Sequence, residues 1–237
     1  MNVSRETSDR SFLIVALDGP SGVGKSSTGQ ALAKNLGFCF LSSGQVYRGL
    51  TWWALKKGWQ PGEGSPDEMI RDAQVSVGEE KGLSINDQFP GDALSSEQLS
   101  QATSVFSANP EVREHANRIL RDAVARLSKS GWYNGVILEG RDIGTVVFQD
   151  ADRKIFLTAN PQVRAERRFL ERASLEEGLT LEQVRDALLA RDERDKTRDV
   201  APLTAAEDAF QLDNSTLLLE EVTEQLSDYI RSGRIRH

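Results

Sequence analysis

Residues 19–26 read Gly-Pro-Ser-Gly-Val-Gly-Lys-Ser, and no other stretch restricts the fold as much. The octapeptide matches G-x-x-x-x-G-K-[ST] at every fixed position, a pattern that carries meaning only between a strand and a helix. Both neighbours are present. The run FLIVAL at 12–17, closed by Asp18-Gly19-Pro20, has the unbroken apolar character of a strand covered on both faces, as in a parallel sheet. Lys25 to Leu36 follows a helical pattern that stops at Gly37, a C-terminal cap. The glycines let consecutive backbone N–H groups converge on phosphate oxygens at the positive end of that helix. Gly19, Pro20, Ser21, Gly22, Val23, Gly24, Lys25, Ser26 and Ser27 are therefore the expected ATP-binding residues. Lys25 would reach the β- and γ-phosphates, and the Ser26 hydroxyl would ligate Mg²⁺.

The rest of the chain alternates strand and helix signals, which predicts an α/β fold with a five-stranded parallel sheet. Phe38 to Leu41, Val136 to Glu139, Lys154 to Thr158 and Ala209 to Leu212 read as the further strands. Helices are expected over Val46 to Lys57, from Asn109-Pro110 to about Leu127, and over Leu217 to Arg231. Ser65-Pro66-Asp67-Glu68 reads as a capping-box start. Residues 58–106 are richer in Gly, Pro, Ser and acids and read as an inserted lobe, with short strand-like pieces at Val75 to Val77 and Leu83 to Ile85. Residues 161–199 form an arginine-rich helical pair, the second helix opened by a capping box over Thr180 to Gln183 and a staple between Leu179 and Val184. Gly178 between the two allows a hinged flap. One domain over 12–237 is expected, its core made of 12–57, 107–160 and 200–237, after a polar, disordered lead-in over 1–11.

A net charge of −7 with no basic block argues against a nucleic-acid or membrane surface. Cys39 is the only cysteine, so neither an internal disulfide nor a cysteine-cluster metal site can form, and a cytoplasmic location is expected. The apolar run at 12–17 is too short to span a bilayer. Asn is nowhere followed by Lys, which removes the guanine-reading segment of a GTPase. Leu41 to Gln45 differs by one residue from the LSGGQ signature of ABC-type ATPases. Ser43 lies only 18 residues beyond Lys25, however, whereas that signature sits far downstream on a helical subdomain, so the likeness is accidental.

Taken together, GPSGVGKSS at 19–27, SGQVYR at 43–48, EGRDIGTVVFQDA at 139–151 and RDERDKTRDVAPL at 191–203 resemble the bacterial cytidylate kinases, in order and in spacing, from about Phe12 to Tyr229. The resemblance implies a P-loop kinase fold with a lobe for the nucleoside monophosphate over 58–106 and a LID over 161–199. It implies transfer of the γ-phosphoryl of ATP to CMP and dCMP, with Mg²⁺, by a monomer acting in pyrimidine nucleotide metabolism. An acceptor phosphate is already anionic near neutral pH, so the reaction needs no base but much positive charge. His115 and His237 accordingly read as structural or solvent-exposed.

By the same resemblance, Ser21, Ser43, Arg48, Arg141 and Arg198 meet the acceptor phosphate, while Lys25, Arg167 and Arg191 help clamp the transferring group. Cytosine offers an amino group beside two acceptors, so its reader should present a carboxylate and donors. The resemblance puts Asp142, Arg113 and Ser104 there, and Asp195 with Arg191 at the sugar. Glu139 could orient Mg²⁺ through water or pair with Lys25 or an arginine. Arg164, Arg168, Arg172 and Arg185 read as partners of nearby acids on solvated helix faces, and Trp52, Trp53, Trp59 and Trp132 as packing residues. The chain departs from the family at Ser42, usually Asp, at Ser95, and over 84–96, which looks shortened. Rival readings are a kinase for another small acceptor, UMP or AMP, and a nucleotide-dependent ATPase or interaction module.

Overall fold

In the computed structural model, residues 12–78, 82–173 and 178–233 are described. The expected lead-in over 1–11 and the terminal His237 lie outside them. Strand β1 (Leu13–Asp18) leads through the glycine loop into α1 (Lys25–Leu36), and β2 (Cys39–Ser42) into α2 (Ser43–Lys56). The lobe then contributes a single turn, α3 (Asp67–Ile70), an antiparallel hairpin of β3 (Val75–Gly78) and β4 (Gly82–Ile85), and α4 (Glu97–Phe106). Helix α5 (Pro110–Ser130) returns to β5 (Gly135–Glu139). Strand β6 (Arg153–Thr158), the LID helices α6 (Pro161–Arg172) and α7 (Leu181–Thr197), β7 (Phe210–Asp213) and α8 (Leu219–Ser232) complete the order.

Five strands form one sheet in the order β2-β5-β1-β6-β7, and every pairing is parallel, as the strand-helix alternation predicts. Although the strands read as continuous apolar runs, their side chains still alternate between faces. Ala16, Leu41, Val136 and Leu138 pack with α2, α5 and the lobe, while Val15, Leu17, Ile137, Ile155 and Leu157 pack with residues of α1 and α8. Trp59, Ile70, Ile85 and Phe106 of the lobe belong to the first of these cores, so the lobe shares the hydrophobic interior of the main sheet. Trp53 and Trp59 are buried there and Trp52 packs against it, whereas Trp132 is exposed.

The chain leaves β1 towards β2 on one side, while β6 and β7 lie on the other. The carboxyl end of β1 is thus the switch point at which such sheets form a crevice. Register brings Asp18, Ser42 and Glu139 to that same edge, since Ser42 and Leu17 both lie opposite Glu139.

Three local expectations change. The helix expected from Val46 starts three residues earlier: Ser43 and Gly44 form the first turn of α2, capped by the Ser42 side chain, which accepts the Gln45 N–H at 3.3 Å. The proposed capping box at Ser65 gives only the one-turn α3: Pro66 occupies the cap without a side-chain bond, and the Ser65 hydroxyl turns to the Asp67 carboxylate. Helix α4 was hidden in the Ser- and Gln-rich part of the lobe, where its apolar face, Leu99, Ala102 and Phe106, is sparse. By contrast, the capping box at Thr180 forms with both reciprocal bonds, and Leu179 packs with Val184 as expected.

Candidate active site

Helix α1 begins at Gly24 in the left-handed region, φ 86°, with no side-chain cap, so its first N–H groups point into the crevice unclaimed by a capping side chain. Glycine is required earlier in the loop as well: at Gly19, φ 146°, a Cβ would stand 2.3 Å from the Leu157 carbonyl oxygen. Val23 has its side chain in the core, and its carbonyl accepts from Asn214 Nδ2 at 2.8 Å. Lys25 Nζ donates to the Pro20 carbonyl at 2.7 Å. The Ser26 hydroxyl bonds both oxygens of Glu139, at 3.0 and 2.8 Å, and the Ser42 hydroxyl donates to the same carboxylate at 2.6 Å. Glu139 therefore takes neither Lys25 nor an arginine as a hydrogen-bond partner among the described residues. Ser42, for which the sequence suggested no job, is one of the two hydroxyls that fix it.

Beyond the loop the crevice opens into a cleft of about 240 Å³. Seven Lys and Arg side chains line it against four Asp and Glu, on a chain whose net charge is −7. A larger cavity of about 410 Å³ lies on the outer face of α1 against α8, away from every motif; its lining includes Glu220, Glu224 and Asp228 but only one arginine, Arg231. Of these two, the cleft is the one built for phosphate.

The arginines come from five places, α2, α5, the turn after β5, α6 and α7, and three of them share two carboxylates. Arg141, just past β5, donates Nε to Asp195 of α7 at 3.0 Å, and Arg198 stands 4.0 Å from the same carboxylate and 3.6 Å from Asp142. Asp142 also receives Arg113 of α5, whose other amino group bonds the Ser107 carbonyl at 3.2 Å and whose guanidinium lies over the Tyr47 ring. Arg48 of α2 lies over the first turn, where Ser43 and Gly44 sit. Burial, then repulsion from Arg141, pushes Lys25 well below the usual lysine range, and the same two causes push Arg191 down to about 10. Arg48 and Arg198 are lowered too, mainly by burial. Several buried polar atoms of these groups have no hydrogen-bond partner among the described residues: Arg113 Nε, Arg191 Nε, Arg198 Nη2 and the Tyr47 hydroxyl. Crowded, dehydrated cations with unused donors are a receptor for polyanions.

Not every expected residue lines the cleft. Arg167 turns to Asn214 instead, donating to its side chain at 3.0 Å and to its carbonyl at 2.8 Å, while its neighbour Arg168 lines the cleft beside Glu171. Ser104 is absent from the lining, which takes Ser100, Thr103 and Ser107 from α4 and its end. Asp195 and Arg191 both line the cleft, with Asp195 paired to Arg141 and Arg198. Arg185 does pair on a solvated face, with Glu182 and Asp186. Arg164 does not: it is 5% exposed and ion-paired with Asp192, so the expectation of a solvated pair fails there. Nothing in residue type separated Arg164 from Arg168, because the difference lies in which face of α6 meets the glycine loop.

Asp18 was also missed. Its two oxygens accept the Ile143 and Gly144 N–H groups at 2.9 and 2.8 Å, fastening the π-helical turn Ile143–Val147 that follows Asp142. Burial raises its pKa to about 6 against those two hydrogen bonds. The folded state thus holds this proton more tightly than the unfolded one. The associated stability is complete below pH 3.8 and is lost as pH rises through about 6. Relative to Asp18→Asn, the parent should lose about 2 kcal/mol between pH 4 and 7, read as a pH-dependent gap between the two urea midpoints. A gap independent of pH would mean that Asp18 titrates normally.

With this geometry in view, comparison with known proteins is informative. A family model described as Cytidylate kinase matches residues 15–232. The chain is 37% identical to the cytidylate kinase of Streptomyces griseus subsp. griseus over 241 aligned positions, covering 99% of each chain. It is 38% identical to that of Solibacter usitatus, covering 93% of each. It also matches a bifunctional pantoate ligase/cytidylate kinase of a Synechococcus strain at 35% identity, covering 94% of this chain but 46% of that protein. Among solved structures, an uncharacterized protein from Eubacterium ventriosum superposes with a TM-score of 0.50 at 12% identity over 93% of this chain, a likeness of fold alone.

Proposed function

Because the chain belongs to the cytidylate kinase family, we propose that its cleft is where the γ-phosphoryl of ATP passes to CMP or dCMP, giving ADP and CDP or dCDP. The chain is an enzyme of this class, a (d)CMP kinase with ATP as co-substrate. The observation that carries the site assignment is the set of seven cations, contributed by the glycine loop, the start of α2, α5, the turn after β5 and both LID helices, around one cleft.

The division of labour follows from position. The loop from Gly19 to Ser27 holds the donor phosphates through the N–H groups that follow Ser21, at the start of α1, with Lys25 at their far end; the Ser21 N–H itself is taken by Asp192. Ser21, Ser43, Arg48, Arg141 and Arg198 take the acceptor phosphate, and Arg191 bridges towards the transferring group. As charge spreads over the equatorial oxygens, donors already fixed in place stabilise it without reorganising. Arg168, which lines the cleft, suits the clamping role from α6 better than Arg167, whose guanidinium is taken by Asn214.

Asp142 faces the cleft with a carboxylate held by Arg113 and Arg198. It accepts the cytosine amino group, while Arg113 and a hydroxyl of α4 donate to the ring. Ser100 fits that last role better than Ser104 by its place in the lining, since the Thr103 hydroxyl donates to the Leu99 carbonyl at 2.7 Å. Asp195 and Arg191 serve the sugar.

Ser26 and Glu139 present hard oxygen donors side by side, which suits Mg²⁺. Among the described residues no group of three or more His, Cys, Asp or Glu could hold a metal ion, so Ser26 and Glu139 would hold it only together with oxygens of the nucleotide and water. Held there by Ser26 and Glu139, it would supply positive charge beside the donor phosphates. Ser42 and Ser26 orient Glu139 for that task. Closure of the LID about Gly178, φ 78°, excludes water from the site.

We further infer a monomer working in the cytoplasm on pyrimidine nucleotides. No helix among the described residues is long and apolar enough to cross a membrane. The acceptor is tested with CMP, dCMP, UMP and AMP in a coupled assay for ADP. CMP and dCMP should give the highest kcat/KM, and preference for UMP or AMP would overturn the roles given to Asp142 and Arg113.

A further inference from the structure

Arg164 and Asp192 form an ion pair whose side chains are each 6% exposed, and neither lines the cleft. Arg164 stands in the first turn of α6 and Asp192 beside Arg191 on α7. Between them they grip one residue of the glycine loop. Arg164 Nη1 donates to the Ser21 carbonyl at 3.0 Å and to Asp192 Oδ2, while Asp192 Oδ1 accepts the Ser21 N–H at 3.1 Å. Arg164 Nε is fixed in turn on the Ala159 carbonyl at 3.2 Å, just past β6. The helix lies so close to the loop that a Cβ on Gly22, φ 75°, would come within 3.2 Å of both the Arg164 Cβ and its carbonyl oxygen.

Both backbone polar groups of Ser21 are consumed from outside the cleft, and Ser21 itself lines the cleft. A buried pair of this kind is rarely a source of net stability, since apolar residues of the same volume usually do as well or better. Its directional bonds do something apolar residues cannot: they fix a loop backbone and a helix in one register.

We propose that the Arg164–Asp192 pair is a positioning device that registers the phosphate loop, through Ser21, to the arginine-bearing face of α7, so that donor phosphates and clamping arginines meet in fixed geometry. The inference rests on the cleft being the phosphoryl-transfer site. The inner ends of both LID helices then stay with the loop.

Three variants test this: Arg164→Lys, Asp192→Asn, and the apolar double Arg164→Met/Asp192→Leu, which leaves no charge buried alone. Each is assayed for kcat and KM with CMP and ATP, and for the rise in melting temperature given by saturating ADP. The double variant should fold, lose about 100-fold in kcat, as misplacement by about 1 Å does, and show a smaller ADP-induced rise than the parent. The single variants should lie between, and Arg185→Ala, on the exposed face of the same helix, should match the parent. A merely structural pair would lower the free and ADP-bound melting temperatures equally and leave kcat intact. Parent-like kcat with a parent-like ADP shift in any folded variant overturns the proposal. Failure of all three to fold also overturns it, assigning the pair to folding alone. Should the parent itself not phosphorylate CMP, the functional reading fails, while the comparison of ADP shifts still decides this one.

Discussion

Arg141→Ala should lower kcat for CMP by about 100- to 1,000-fold, the usual cost of removing one preorganised donor to a developing oxyanion, while the protein stays folded. Arg141 sits in the turn after β5, 19% exposed at the side chain, and is anchored by Asp195 and by the carbonyl of its neighbour Gly140. It belongs to neither hydrophobic core. Its loss removes one partner from a part-buried pair, while Arg198 stays near Asp195, so the cost in stability should be about 1 kcal/mol. The depressed pKa values of Lys25 and Arg191 both owe part of their shift to Arg141, so its removal should also let Lys25 hold its proton more firmly. The expected signature is a large fall in kcat, a small fall in melting temperature and an unchanged circular dichroism spectrum. Turnover within threefold of the parent would return Arg141 to a purely structural role.

Asp142→Asn should collapse base selectivity. The carboxylate is 5% exposed and shared between Arg113 and Arg198. As an acceptor it matches the cytosine amino group, whereas uracil would set a carbonyl against it, and a buried polar mismatch is costly. An amide of the same shape can donate as well as accept, so the ratio of kcat/KM for CMP over UMP should shrink by about 100-fold. Stability falls too, because the buried Arg113 guanidinium loses its counter-charge, at about 3 kcal/mol. The ratio is insulated from that loss, since both nucleotides see the same folded fraction. An unchanged ratio would remove Asp142 from base recognition.

How far the sequence reached depends on whether a feature is local. The glycine loop, its flanking strand and helix, the capping box at Thr180 and the cap at Asn109 are set by neighbours a few residues away, and the expected structure forms at each. The parallel order of strands followed from alternation of apolar runs with helical patterns. Helix α4 escaped because its buried face is made of few apolar residues among Ser, Thr and Gln, and because its packing partner, α2, is some 50 residues earlier. The first turn of α2 escaped because Ser-Gly reads as a turn until Ser42 is seen to cap it.

The same distinction runs through the site. Motif blocks named most of the cleft lining, but pairings across the fold were illegible: Asp18 with the turn at Ile143, Ser42 with Glu139, Arg164 with Asp192 and Ser21. Each joins elements separated by tens of residues or more and depends on which way one side chain points. Arg164 and Arg168, one helical turn apart, show the limit well. One is buried on the glycine loop and the other lines the cleft, yet both are simply arginines in a charged helix.

The central claim is that the cleft joins two nucleotides and passes phosphate between them. Phosphorus NMR of the protein with ATP, Mg²⁺ and CMP tests it most directly, because every phosphate is followed at once. ADP and CDP should rise together in equal amounts, free phosphate should stay at background, and ATP should persist when CMP is left out. Release of free phosphate from ATP at the same rate with or without CMP, and no CDP, would contradict the account and leave an ATPase.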